Sequence, residues 1–349
     1  LNIILILSVL FFSESFSEPV YALAWGLIFA GIVQLIFVLY PLIKMGLFPK
    51  INFNKNHPGI KKIKELMIPV IFGSSVTQVN LIFDTIIASF LITGSISWLY
   101  MSDRFIELPL ALFGISIATV LLPKLSEYYN KKDNKSYNAT INWGLKLGIL
   151  ISIPTCIGLI LLSEPILVTL LQYREFSAND VSMTSLSLIA FAFGLPGMIG
   201  AKILITNYYS RKDTSYPVRA AVIAVITNFV MNIVFVIYLT SIKFEGVHVG
   251  LALATSVSAY INFFLLFKNA IKTKILIIDK SIIQILAKTI LASIIMTIFV
   301  LYFDLNANSW VNLELLDRVS KLLMIISLAA IVYFILLYAL KISPKKIKI

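Results

Sequence analysis

Apolar residues form long unbroken runs along this chain, and short polar clusters separate them. About 20 consecutive apolar residues cross the hydrocarbon core of a bilayer as a helix. By that length the pattern gives ten segments: 1–12, 19–42, 66–93, 95–123, 141–162, 182–209, 218–240, 247–267, 282–303 and 322–340. The runs are continuous rather than alternating over about ten residues, which excludes a membrane β-barrel. The predicted fold is all-α, a polytopic bundle of about ten transmembrane helices. Segment 1–12 starts in mid-run at Leu1 with no basic stretch before it, so it reads as a truncated helix rather than a signal peptide, and the chain as a fragment.

Composition agrees with the pattern. Hydrophobic residues make up 59% of the chain and charged residues 13%, with mean hydropathy +0.94. A soluble domain carries about 25% charged residues. Cys156 is the lone cysteine and sits inside an apolar run, so no disulfide framework exists and the thiol is expected to be inert packing. The net charge of +12 changes the picture only through its distribution. Alternate connections (44–64, 124–135, 211–219, 268–280 and the tail from Lys341) hold 21 of the 29 basic residues. The opposite connections are acidic. Lys and Arg concentrate in cytoplasmic loops, so the basic side, C-terminus included, is expected inside. The positive charge is an orientation signal that also suits anionic lipid head groups, and nucleic acid is not needed to explain it.

Some polar residues fall inside the apolar runs. Segment 95–123 carries Asp103, Arg104 and Glu107. A charge at membrane depth costs from about 2.5 to more than about 10 kcal/mol, so three charges within five residues should not face lipid. Helical spacing crowds them on one face, predicting a polar cavity. Lys146 and Lys288 lie near segment ends and are expected to snorkel to the interface. Lys202 follows FGLPGMIGAK, where Gly194, Pro196, Gly197 and Gly200 give either an opened, cavity-lining helix or a plain kink near the interface. Asp84 is a further buried acid, on a segment that also bears Ser74, Ser75, Thr77, Gln78 and Asn80. Asn228 and Asn232 share one face of another segment, and Thr255 lies in GLALATSVSAY. Their oxygens suit a hard cation such as Na⁺ as a coupling ion, or they hydrogen-bond between helices. No enzyme is expected, because His57 and His248 fall in loops and no nucleophile elbow, phosphate loop or dinucleotide fingerprint occurs. Ser177–Asp180 reads as a helix N-cap.

SWLYMSDRFIELPLALFGISIATVLLPKLSE resembles the signature of the MurJ/MviN lipid II flippases, members of the multidrug/oligosaccharidyl-lipid/polysaccharide exporter superfamily. The resemblance continues, in the family's order, through ALAWGLIFAGIVQLIFVLYPLIKMGL, NWGLKL, EPILVTLLQYREFS and KILITNYYSRKDTSYPVR. It implies the fifth through fourteenth of fourteen helices. Residues 1–42 would end an N-terminal lobe and 61–270 form a six-helix lobe. Residues 281–340 would be an added pair forming a groove for a lipid tail, and 341–349 a cytoplasmic tail. Arg104 would line the central cavity, with Asp103 and Glu107 as acidic companions, and Lys202 would match the family's tenth helix. The implied partner is lipid II, carried across a bacterial inner membrane by a monomeric transporter. Arg174–Glu175 departs from the family, which has a Gly-containing turn there, so a different turn is expected if that Gly has φ > 0.

The rival functions are a sister exporter of the same superfamily, for polysaccharide repeats or drugs; a membrane enzyme acting on polyprenyl-linked sugars; and a scaffold. An enzyme would want a large outer loop, and the longest here has about 18 residues. A scaffold would not need charges in mid-helix.

Overall fold

The computed structural model describes residues 1–47, 78–342 and the single positions 60, 63 and 67. Most of the basic connection 44–64, His57, Ser74, Ser75, Thr77 and the tail lysines Lys345, Lys346 and Lys348 lie outside the described residues. The described helices are α1 (Asn2–Phe12), α2 (Val20–Lys44), α3 (78–89), α4 (Ser95–Asn130), α5 (Asn134–Leu161), α6 (Ser163–Leu170), α7 (Ala178–Tyr209), α8 (Ser215–Ser241), α9 (Val249–Lys272), α10 (Ser281–Leu301), α11 (Ala307–Val311) and α12 (Leu315–Ala339). Eight of them are long and apolar enough to cross a membrane: α2, α4, α5, α7, α8, α9, α10 and α12. The short helix α1 and the partly described segment 66–93 complete the ten segments expected from the sequence. Helices α6 and α11 are too short to span and were hidden from the hydropathy pattern.

The chain divides into two compact units, Leu1–Ile68 and Pro69–Ile349. In the first, α1 and α2 form a hairpin. Ala22, Gly26 and Ala30 are buried at four-residue spacing on α2, and a Cβ on Gly26 would meet Ser8 Oγ at 2.5 Å. Small residues let the two backbones approach, and the Ser8 hydroxyl donates to Ala22 C=O across the gap.

In the second unit, α7 is the central helix, with α4, α5 and α9 packed around it. Helix α4 starts at Gly94, whose φ of +103° is left-handed and where a Cβ would lie 2.5 Å from the Trp98 ring. Its buried stripe is Trp98, Ser102, Ile106 and Pro109. Pro109 lacks an N–H, and the helix widens over Leu110–Ile115 into a π-turn before resuming. Helix α7 begins with the expected cap. The Ser177 hydroxyl accepts from Asp180 N–H at 3.2 Å, while Asp180 accepts from Ser177 N–H at 2.8 Å. Such a cap contributes about 1 kcal/mol.

Arg174 adopts φ +52°, a left-handed conformation taken here without glycine. Five lysines, at 132, 212, 243, 274 and 341, take the same conformation just past helix ends. There their positive charge faces the negative end of the helix dipole and offsets part of the steric cost.

Lys146 and Lys288 do more than snorkel. Asn138, Asn142 and Lys146, at four-residue spacing on α5, bind the connection before α10. Asn138 Oδ1 accepts from Ile277 N–H at 3.0 Å, the Asn142 amide bridges Ile277 C=O and Asp279 N–H at 2.8 and 2.9 Å, and Lys146 pairs with Asp279 at 2.5 Å. The Lys146 ammonium, with the Ser281 N–H and hydroxyl, holds the Asp279 carboxyl well below the usual carboxylate range. Lys288 donates to Leu340 C=O at 2.7 Å, capping the end of α12. The α5 contacts fasten the connection before α10 to the body of the unit, and the Lys288 bond ties α10 to α12.

Candidate functional site

Arg104 lies on the face of α4 opposite the buried stripe, with its side chain 56% exposed. It donates to Glu107 at 2.7 Å and to the Tyr100 hydroxyl at 3.0 Å, and its guanidinium sits 4.8 Å from the centre of the Tyr100 ring. Tyr100, Arg104 and Glu107 are thus one assembly on successive turns of one face. Asp103 is not part of it. The half-buried carboxylate makes no hydrogen bond or ion pair with Arg104 among the described residues. The expected trio is therefore an Arg104–Glu107 pair supported by Tyr100, because a one-residue step turns Asp103 about 100° away around the helix. Tyr100 was missed in the sequence, although its position four residues before Arg104 could have flagged it.

The second group meets in the fold, where Asp84 and Thr255 join the face that Asn228 and Asn232 share by their spacing. Asn232 Nδ2 donates to Asp84 Oδ1 at 2.6 Å and to Asn228 Oδ1 at 3.0 Å, and Asn228 lies 3.1 Å from Thr255 Oγ1. Asn80, one turn before Asp84, donates to Asp84 Oδ2 at 3.2 Å and extends the cluster. Asn228 and Asn232 are buried, and Asn232 Oδ1 has no hydrogen-bond partner among the described residues. The Asn228 amide faces a conflict. With its oxygen toward α3, that atom lies 2.8 Å from Asn80 Oδ1 and 3.3 Å from Asp84 Oδ1, oxygen against oxygen. With the amide reversed, those contacts become hydrogen bonds, and the oxygen accepts from Thr255 at 3.1 Å. Polar side chains of three helices, α3, α8 and α9, thus meet at one buried point.

Lys202 is exposed on α7 and is not brought to Arg104. Trp98 Nε1 donates to Asp180 at 2.7 Å, and further along a Cβ on Gly114 would meet Ile199, so α4 and α7 run parallel. At 1.5 Å per residue, Lys202 lies about 24 Å beyond Arg104 along the helix direction. Helix α7 is continuous through Pro196, so the opened helix is corrected as well. Its glycines instead admit α9. A Cβ on Gly194 would sit 2.8 Å from Ser256 Cα, and one on Gly197 3.1 Å from Tyr260 N.

An apolar groove of about 1250 Å³ runs between α5 and the α10–α12 pair. Trp143, Leu147, Pro154 and Leu162 form its α5 wall, and Val300 and Tyr333 face them from α10 and α12. The distance from Trp143 to Leu162 along α5 is about 28 Å, close to the ~30 Å of a hydrocarbon core.

His248 was expected in a loop without a role. It directly precedes α9 and is fully buried, with Nε2 3.0 Å from Met183 C=O and its ring centre 4.9 Å from that of Trp98.

Similarity to known proteins follows the same outline. The family described as "Lipid II flippase MurJ" matches residues 1–338. A protein of Vibrio cholerae serotype O1 named "Probable lipid II flippase MurJ" is 38% identical over 348 residues, covering 100% of this chain and 65% of its own length. The Haemophilus influenzae protein of the same name is 39% identical over 339 residues, covering 95% of this chain and 65% of its own length. A solved lipid II flippase MurJ in an inward closed conformation superposes with TM-score 0.75 at 28% identity, covering 96% of this chain and 64% of that one. The chain therefore spans about 65% of the length of the curated relatives it matches. It belongs to the MurJ lipid II flippase family.

Proposed function

We propose that the protein moves lipid II, a polyprenyl-pyrophosphate-linked disaccharide-peptide, from the cytoplasmic to the outer leaflet for cell-wall synthesis. The observation that carries this reading is the pairing of an exposed guanidinium, Arg104, with an apolar groove as long as a membrane is thick. Lipid II has the matching halves, a pyrophosphate head and a long hydrocarbon tail. A guanidinium fork binds phosphate oxygens in two-pronged fashion. In the empty state Glu107 and Tyr100 hold that fork in place, and substrate phosphate replaces Glu107. Two helix bundles rocking about the site would expose it to each side in turn. The groove accommodates the tail meanwhile. Family membership favours this cargo over a polysaccharide repeat or a drug.

The transporter sits in the bacterial inner membrane as a monomer, with the basic connections and C-terminus in the cytoplasm. Growth rescue of a bacterium depleted of its own lipid II flippase tests the function. Absence of rescue at normal membrane abundance would overturn it.

Na⁺ is the proposed coupling ion. Asp84, Asn228, Asn232 and Thr255 would hold it, with Asn80 beside them. The fit rests on the Asp84 carboxylate meeting the Asn228, Asn232 and Thr255 side chains at one buried point, with Asn232 Oδ1 unpartnered among the described residues. These are the hard donors such an ion takes. A bound Na⁺ would offset the Asp84 charge and draw α3, α8 and α9 together. At tenfold excess over Kd, Na⁺ should stabilise the purified protein by about 1.4 kcal/mol relative to K⁺ at equal ionic strength. In Asp84→Asn that difference should vanish. Equal stability of the wild type in Na⁺ and K⁺ would make the cluster interhelical hydrogen bonding alone.

A further inference from the structure

The groove has a charged end that the transport reading does not use. Among its described lining residues Lys124 carries the only charge. It is exposed on the last turns of α4 and forms no ion pair among the described residues. Trp143 and Tyr338 line the same end of the groove, and Leu162 and Val300 line the other. Trp and Tyr favour the membrane–water interface, so the Lys124 end lies at head-group level.

Length selects the occupant. The groove wall rises about 28 Å along α5, whereas one leaflet supplies only about half of a ~30 Å core. A phospholipid acyl chain stops midway. A polyprenyl chain reaches the whole distance. A cation at one mouth of such a groove is complementary to a phosphate on the end of that chain.

We propose that Lys124 binds the phosphate of a polyprenyl phosphate lipid whose chain lies in the groove, so that the groove selects an anionic isoprenoid over a neutral one. This rests on the lipid-carrier reading above, but it assigns a separate phosphate contact. Trp98, six residues before Arg104, pairs with Asp180 at the far end of α4, whereas Lys124 lies about 30 Å further along that helix than Arg104. The lipid is thus held by its phosphate before that group reaches Arg104.

The test is binding to the protein in nanodiscs, read from the fluorescence attributable to Trp143 by difference from Trp143→Phe. Undecaprenyl phosphate and undecaprenol are the two probes, and phosphatidylglycerol is the competitor. The wild type should bind the phosphate about fivefold more tightly than the alcohol, as expected for one lysine at a membrane surface. Lys124→Gln should bring the two affinities together while leaving undecaprenol binding unchanged, and Lys124→Arg should restore the preference. The proposal is overturned if Lys124→Gln keeps the preference, if phosphatidylglycerol competes on equal terms, or if neither isoprenoid alters Trp143. Intact phosphate selection in a protein that fails to move lipid II would instead refute the transport reading and leave this one standing.

Discussion

Arg104→Lys is expected to abolish growth rescue of flippase-depleted cells while the protein accumulates at wild-type levels in the membrane. Lysine keeps the charge and can still pair with Glu107. It cannot bond Glu107 and the Tyr100 hydroxyl through one rigid plane, as Arg104 does at 2.7 and 3.0 Å, nor offer two parallel donors to a pyrophosphate. Arg104→Ala should also lose function without losing abundance. Buried acids left without their cation would cost roughly 3–5 kcal/mol, but Arg104 and Glu107 are 56% and 54% exposed. A pair so exposed contributes about 0–1 kcal/mol. Immunoblotting of membranes beside the growth assay separates the two effects. A fully functional Arg104→Lys protein would reduce Arg104 to a partner for Glu107.

Gly194→Val should have the largest effect on folding. The new Cβ would begin 2.8 Å from Ser256 Cα and 2.6 Å from Ser256 Oγ, and a backbone atom cannot swing aside as a side-chain tip can. Helices α7 and α9 would have to separate, at a cost of about 3 kcal/mol, and with them the α9 residue Thr255 would leave Asn228. Thermal unfolding in detergent should show a large drop in Tm. Gly158→Ala is the contrasting case, since nothing lies within 4 Å of its Cβ position. Alanine at this position, in the last turn of α5, should be neutral or stabilising by up to about 0.5–1 kcal/mol. Equal tolerance of both changes would mean that α7 and α9 do not pack this closely.

Much of this was legible in the sequence because hydrophobic length is a local signal. The spans follow directly from run length, and the Ser177–Asp180 cap from a four-residue pattern. Asn228 and Asn232 declared a shared face by their spacing, but only the fold brings Asp84 and Thr255 to it. Asp103 shows the limit of spacing arguments: a helical wheel gathers it near Glu107, yet Arg104 spends its donors on Glu107 and Tyr100. The Gly194–Gly200 stretch misled for a related reason. Glycine signals both a broken helix and a close helix contact, and only the position of α9 distinguishes them. Lys146 and Lys288 found partners 133 and 52 residues away, at Asp279 and Leu340, which no local pattern encodes.

The most direct test of the central claim is the exposure of lipid II on the outer face of cells in which this protein is the sole flippase. Lipid II that has crossed can be cleaved at its pyrophosphate by an enzyme added from outside, and the released product can be counted. Cleavage is expected with the wild type, and none above the depleted background with Arg104→Lys at equal abundance. Cleavage at wild-type levels in the Arg104→Lys cells, or its absence with the wild type, would contradict that claim.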